Sequence, residues 1–231
     1  MVAAAHGVTR LQAVLVDLGT IWVLWLLGGL LVVVVAIALD RWLLFRTRDA
    51  DLNALAPALD RLLAGGDHAG ALTLLGRTKA TAAAIAAAGI RLAERGSESA
   101  ERAMKSASAM ERTVLERRLA VLATIGNNAP FLGLFGTVIG VIEAFAHLGA
   151  ETTGAAATQA SSQLVMRAIA EALVTTAVGL LVAIPTVALN NYLQRRVSGL
   201  IASSDVLSNL VLAYLAAPVA GPDRRGDPHV G

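Results

Sequence analysis

From Leu119 through Ile142 the chain carries no charged residue for 24 positions. At a rise of 1.5 Å per residue this is roughly 36 Å of helix, enough to cross a bilayer core of about 30 Å. A lipid-facing anchor would be mostly Leu, Ile, Val and Phe. This span instead holds Gly126, Asn127, Asn128, Pro130, Gly133, Gly136, Thr137 and Gly140. Ala129, Gly133, Gly136, Gly140 and Ala144 follow at steps of four, three, four and four, so they share one helix face. Inside a membrane, where close packing drives association, a small-residue face lets helix backbones approach. Generic packing accounts for the glycines, but it leaves Asn127, Asn128 and Thr137 unexplained.

Composition points the same way. The 231 residues are 56% hydrophobic and 16% charged, with a mean hydropathy of +0.65, the profile of a polytopic membrane protein. A net charge of +2 is too weak to argue for nucleic acid, and the absence of cysteine excludes disulfides and thiolate chemistry. His6, His68, His147 and His229 have no metal-binding spacing. Nucleophile elbow, phosphate loop and paired catalytic carboxylates are missing, so the expectation is no enzyme, no cofactor and no metal.

Residues 1–17 read as a short periplasmic N-terminus. Leu18 to Leu39 is a second uncharged stretch of 22 residues, followed by Asp40, Arg41, Trp42, Arg46 and Arg48 as a stop-transfer flank. It is too long for a signal peptide, and Trp22, Trp25 and Trp42 suit the membrane interfaces, so 18–40 is read as a lipid-facing transmembrane helix 1. Residues 41–118 form a helical cytoplasmic domain. Leu52, Leu55, Leu59, Leu62 and Leu63 have helical spacing up to Gly65-Gly66. Asp67 caps a short helix through Leu75, an Ala-rich helix runs from about Thr81 to Arg95, and Ser97 is the expected N-cap after Gly96. Beyond Ser97 no Gly or Pro appears before Gly126. The expectation is therefore a second span, 119–146, continuous with a long cytoplasmic helix. The mixed charges of that helix read as a solvated face or as a docking surface.

Residues 147–167 are the expected periplasmic loop, and 168–194 the third span, closed by Arg195-Arg196. A C-terminal cytoplasmic helix and a disordered tail, marked by Pro218, Pro222 and Pro228, occupy 195–231. The 41–118 segment holds 13 of the 19 Lys and Arg residues, and 147–166 holds none. The positive-inside rule then places the N-terminus outside and the C-terminus inside. The fold class is an all-α integral membrane protein with three transmembrane helices and a helical cytoplasmic domain.

Glu171 opens the third span. An ionisable group at membrane depth normally faces a bundle interior or a water path; pairing with Arg167, one turn back, is the simpler alternative. Ala172, Thr176, Gly179, Ala183, Thr186 and Asn190 form a second small, weakly polar face. Spans two and three are therefore expected to line something and span one to face lipid. Pro130 and Pro185 can each kink their helix and free a carbonyl. Physics alone gives a three-span protein that oligomerises around polar faces.

The stretches LATIGNNAPFLGLFGTVIGVIEAF (122–145) and IAEALVTTAVGLLVAIPTVALNNYLQRRV (169–197) resemble the signatures of the ExbB/TolQ/MotA proton-channel family, closest to its ExbB/TolQ branch. The resemblance implies a multi-pass subunit of a motor in the bacterial inner (cytoplasmic) membrane. Five copies would form a homopentamer around a single-span ExbD/TolR-like partner in the central pore. Protons would cross with help from that partner's aspartate, and force would pass to a TonB/TolA-like periplasm-spanning protein. Residue by residue, Thr137 and Thr176 match the family's two threonines. Glu171 matches the glutamate of its AEAL motif, and Pro130 the proline of its APF motif. Those threonines would face the partner's carboxylate and hydrogen-bond a proton path. Asn127-Asn128 departs from the commoner Ser/Asn-Thr. A gliding-type motor stator and a non-conducting oligomeric scaffold are the rival readings.

Overall fold

The structure is a computed structural model that describes residues 19–49, 51–150 and 155–216. The N-terminal segment 1–17 and the tail beyond Ala216 lie outside the described residues. Seven α-helices are described: α1 (Ile21–Arg48), α2 (Leu52–Ala64), α3 (His68–Gly76), α4 (Thr81–Ile90), α5 (Ser97–Glu116), α6 (Leu119–Ala150) and α7 (Ala155–Ala216). No strand occurs among the described residues. Three helices are long and apolar enough to cross a membrane, the stretches beginning at Ile21, Leu119 and Ser162. The chain divides into two compact units, with boundaries at Trp42/Leu43, Arg117/Arg118 and Gln194/Arg195.

The first unit contains the apolar parts of α1, α6 and α7. Val23, Leu27, Val34 and Ile37 make the buried stripe of α1, while Trp25, Leu31, Val32, Val35 and Leu39 stay exposed. Such an outward apolar face suits lipid contact. Trp22 meets Phe135 of α6 edge-on, with ring centroids 6.1 Å apart. Near the charged end of α1, Asp40 accepts from Arg41 Nε at 2.9 Å and Nη2 at 2.8 Å. Arg118 Nη1 lies 3.0 Å from the same carboxylate.

The expected continuity of the second span with the preceding helix is not observed. α5 ends at Glu116, Arg117 is extended with ψ 133°, and Arg118 takes a left-handed φ of 71°. The Arg118 carbonyl then accepts from Val121 and Leu122 and starts α6. A side chain in this backbone region costs roughly 1–2 kcal/mol; the ion pair with Asp40 offsets part of that cost. The third span, by contrast, belongs to a helix that runs on without a break. α7 is a single 62-residue helix that begins inside the expected 147–167 loop and continues through Arg195-Arg196. Basic residues do not interrupt a helix as Gly or Pro would.

The second unit gathers α2 to α5 with the last part of α7. Asp51 and Asp67 cap α2 and α3, accepting from Asn53 N at 3.1 Å and Gly70 N at 2.7 Å. Gly66, at φ 70°, turns the chain between these helices. α4 ends at Ile90, short of the expected Arg95, and a 3₁₀ turn, Ala93–Arg95, follows. Gly96, at φ 95°, takes the N-cap position that the sequence suggested for Ser97. Leu59, Leu63, Leu75, Ile85, Ala86 and Met104 make one core with Leu207 and Val211 of α7. On α5, Arg102 pairs with Glu98, Lys105 with Glu101 and Arg112 with Glu116. These pairs sit on an exposed face, and the Lys105 ammonium holds the Glu101 carboxyl below its usual range.

Candidate functional site

The two small-residue faces meet. A Cβ added to Gly133 would lie 2.9 Å from the Thr175 carbonyl, 3.0 Å from Thr176 Cα and 3.2 Å from Gly179 Cα. One on Gly179 would lie 2.8 Å from the Ala129 carbonyl, and one on Gly140 would lie 2.6 Å from Ala172 Cβ. One on Gly136 would lie 2.5 Å from Thr175 Oγ1, and one on Gly126 would lie 2.8 Å from Val187 Cγ2. At Gly133 and Gly179 the neighbours are backbone and only hydrogen fits, so α6 and α7 pack antiparallel with their backbones nearly in contact. Ala129, Ala144, Ala172, Ala183 and Thr186, all expected on the two stripes, are buried. The stripes thus close on each other instead of lining an open space within the chain.

The hydroxyls gather along this seam. Thr176 Oγ1 donates to the Gly133 carbonyl at 3.0 Å and is half-buried. Thr175, which the sequence reading passed over, is fully buried and donates to the Ala172 carbonyl at 2.6 Å. Its position, three residues after Ala172 and four before Gly179, was the available signal. Thr137, half-buried, donates to the Leu134 carbonyl of its own helix at 2.6 Å. Each threonine oxygen uses its proton on a carbonyl and retains lone pairs that can accept another.

Glu171 stands at the Ala172 end of the seam. Its Oε1 accepts from Arg167 Nε at 3.0 Å, with 43% of its side chain exposed. The structure therefore joins Glu171 to Arg167, Thr176 to Gly133, and Gly179 to Ala129 and Gly133. No hydrogen bond joins Glu171 to Thr137 or Thr176. Pro130 lies inside α6 and Pro185 inside α7, both without interrupting the helix. Asn127 and Asn128 are exposed on α6, and Asn128 Nδ2 donates to the Thr124 carbonyl at 2.8 Å. No group of metal-ligating side chains occurs among the described residues.

Residues 77–205 match the family described as the MotA/TolQ/ExbB proton channel family. The biopolymer transport protein ExbB of Xanthomonas campestris pv. campestris (strain B100) is 41% identical over 113 residues, 49% of this chain and 42% of the relative. The Tol-Pal system protein TolQ of Haemophilus influenzae is 44% identical over 99 residues, 43% of this chain and 41% of the relative. A putative biopolymer transport protein, ExbB-like 2, of Helicobacter pylori is 39% identical over 97 residues, 42% of this chain and 61% of the relative. The aligned stretch is less than two thirds of each relative's own length.

Proposed function

The chain belongs to the MotA/TolQ/ExbB proton channel family, and from that premise we propose that it is a ring-forming subunit of a proton-driven motor in the bacterial inner membrane. It would conduct protons with a single-span ExbD/TolR-like partner and turn the proton-motive force into work on the cell envelope. The Lys/Arg bias of residues 41–118 supports an orientation with that segment and the C-terminus in the cytoplasm. A homopentamer around the partner, and a TonB/TolA-like protein that receives the force, complete this reading, which the family membership supports.

The hydroxyl at the α6–α7 seam supports this reading best. Thr176 lies in the uncharged run from Ala172 to Gln194, bonded to the backbone of the facing helix and still able to accept from a proton donor. With Thr137 it offers two neutral oxygens beside a path along which a partner carboxylate could exchange protons. Neutral hydroxyls hold water without stabilising one protonation state, as a transfer path requires. Glu171, paired with Arg167, supplies a carboxylate at the mouth of the third span. In this reading its release from Arg167 makes it available to that path.

The test is proton flux in proteoliposomes holding the subunit with its single-span partner, beside native mass spectrometry of the same sample. Thr176→Val and Glu171→Ala are each expected to abolish flux and force output while the complex still assembles. Full flux in both variants would remove the proposed roles. A wild-type assembly that holds the partner but passes no protons would favour a non-conducting scaffold.

A further inference from the structure

Asn127 is a membrane amide with nothing to bond. It lies eight residues into α6, roughly 12 Å along the helix axis, on the exposed side. Among the described residues its side chain makes no hydrogen bond; the neighbouring amide of Asn128 is already used on Thr124. Phe131, Leu134 and Val138 continue its face for three turns and are 66%, 55% and 50% exposed. Such an apolar stripe suits lipid or a packed helix better than a water-filled lumen, and the amide among it favours the helix. An amide left unbonded in hydrocarbon is costly, so the covering helix must bring it a polar atom.

The chain itself holds such an atom at the same depth. Pro185 is exposed within α7 and has no N–H, so the Leu181 carbonyl loses its helical donor. Leu181 and Ile184 face outward on that helix, each 67% exposed. The depth follows from the seam: Gly126 packs on Thr186 and Val187, and Gly133 on Thr175, Thr176 and Gly179. Residues 126–133 are thus level with 176–187. The amide and the orphaned carbonyl share one slab of the membrane but sit on the outward faces of two helices that meet through their other sides. One copy cannot join them. In a ring whose axis is the membrane normal, every copy places both groups at the same height.

We propose that the Asn127 amide of one copy donates to the Leu181 carbonyl freed by Pro185 in the next copy, seating the α6 outer stripe on the neighbour's α7. The contact is head-to-tail, as ring closure needs. It rests on the reading of the chain as a ring-forming subunit, and it identifies which faces meet.

A double-mutant cycle on the full complex tests it, read by native mass spectrometry over a detergent series. Wild type should give rings, and Asn127→Leu should lower the ring-to-monomer ratio roughly tenfold per contact, the order expected for one interhelical hydrogen bond. Pro185→Ala restores the N–H that occupies the Leu181 carbonyl. In that background Asn127→Leu should therefore lose most of its effect. Equal losses in both backgrounds, or an unchanged ring in Asn127→Leu, would overturn the proposal. The chain has no cysteine, so Asn127→Cys is a single thiol and a milder change. Slow reaction with a membrane-impermeant maleimide is expected; fast labelling would place the face in water and overturn the contact. Loss of the single-span partner from an intact Asn127→Leu ring would assign the face to that partner and do the same. A monomeric wild type would instead sink the ring-forming reading itself.

Discussion

Gly133, like Gly179 opposite it, is hemmed in by backbone. Its virtual Cβ meets a carbonyl and two Cα atoms, and backbone cannot step aside as a side-chain tip can. Gly133→Ala is expected to destabilise the α6–α7 pair by about 1–3 kcal/mol, the usual cost of overpacking. Gly28→Ala, with nothing within 4 Å of its virtual Cβ, should leave the thermal midpoint in the same detergent unchanged or slightly raised. Equal shifts for the two variants would contradict a backbone contact at Gly133. The seam was legible in the sequence because small residues at steps of three and four define a face by helix geometry alone. What the steps did not give was the partner of that face. A stripe of glycines states that something comes close, and only the facing stripe on α7 states what. Thr175 and Thr176 are adjacent in sequence, so periodicity favoured one of them, whereas the structure uses both.

The helical elements were largely readable from their punctuation. Gly66 and Gly96 adopt positive φ where the chain turns, and Asp51 and Asp67 cap where short polar side chains precede apolar runs. The break between α5 and α6 was not readable, because Arg118 is neither Gly nor Asn and the Asp40 it pairs with lies 78 positions earlier. The cost of this left-handed residue is testable. Arg118→Gly removes the ion pair but also the steric cost of positive φ, so its stability should stay within about 1 kcal/mol of wild type. Arg118→Ile loses the pair and puts a β-branched side chain at φ 71°, which should cost about 1–2 kcal/mol more than Arg118→Gly in thermal unfolding. Equal melting of the two variants would show that the backbone does not need this geometry.

At the scale of the whole molecule, the sequence separated what the structure joins. The segment after Arg195 reads as a terminal amphipathic helix. In the structure Leu207 and Val211 are fully buried among residues of α2, α4 and α5, and Tyr214 donates to Asp60 Oδ1 at 2.8 Å. That carboxylate raises the Tyr214 phenol above its ordinary pKa. Contacts between positions more than a hundred residues apart leave no periodic trace, so only coordinates could assign this helix to the core. Leu207→Ala should then cost about 2–5 kcal/mol, as for a buried leucine. Limited proteolysis should show the loss as faster cleavage between residues 52 and 116. Protection equal to wild type would detach the helix from that core.

The close seam also has a mechanical meaning. With glycine backbones meshed like teeth from Gly126 to Gly140, α6 and α7 cannot slide along or roll over each other without first separating. Packing this close couples the two helices mechanically, so a push on one is passed to the other instead of being absorbed between them.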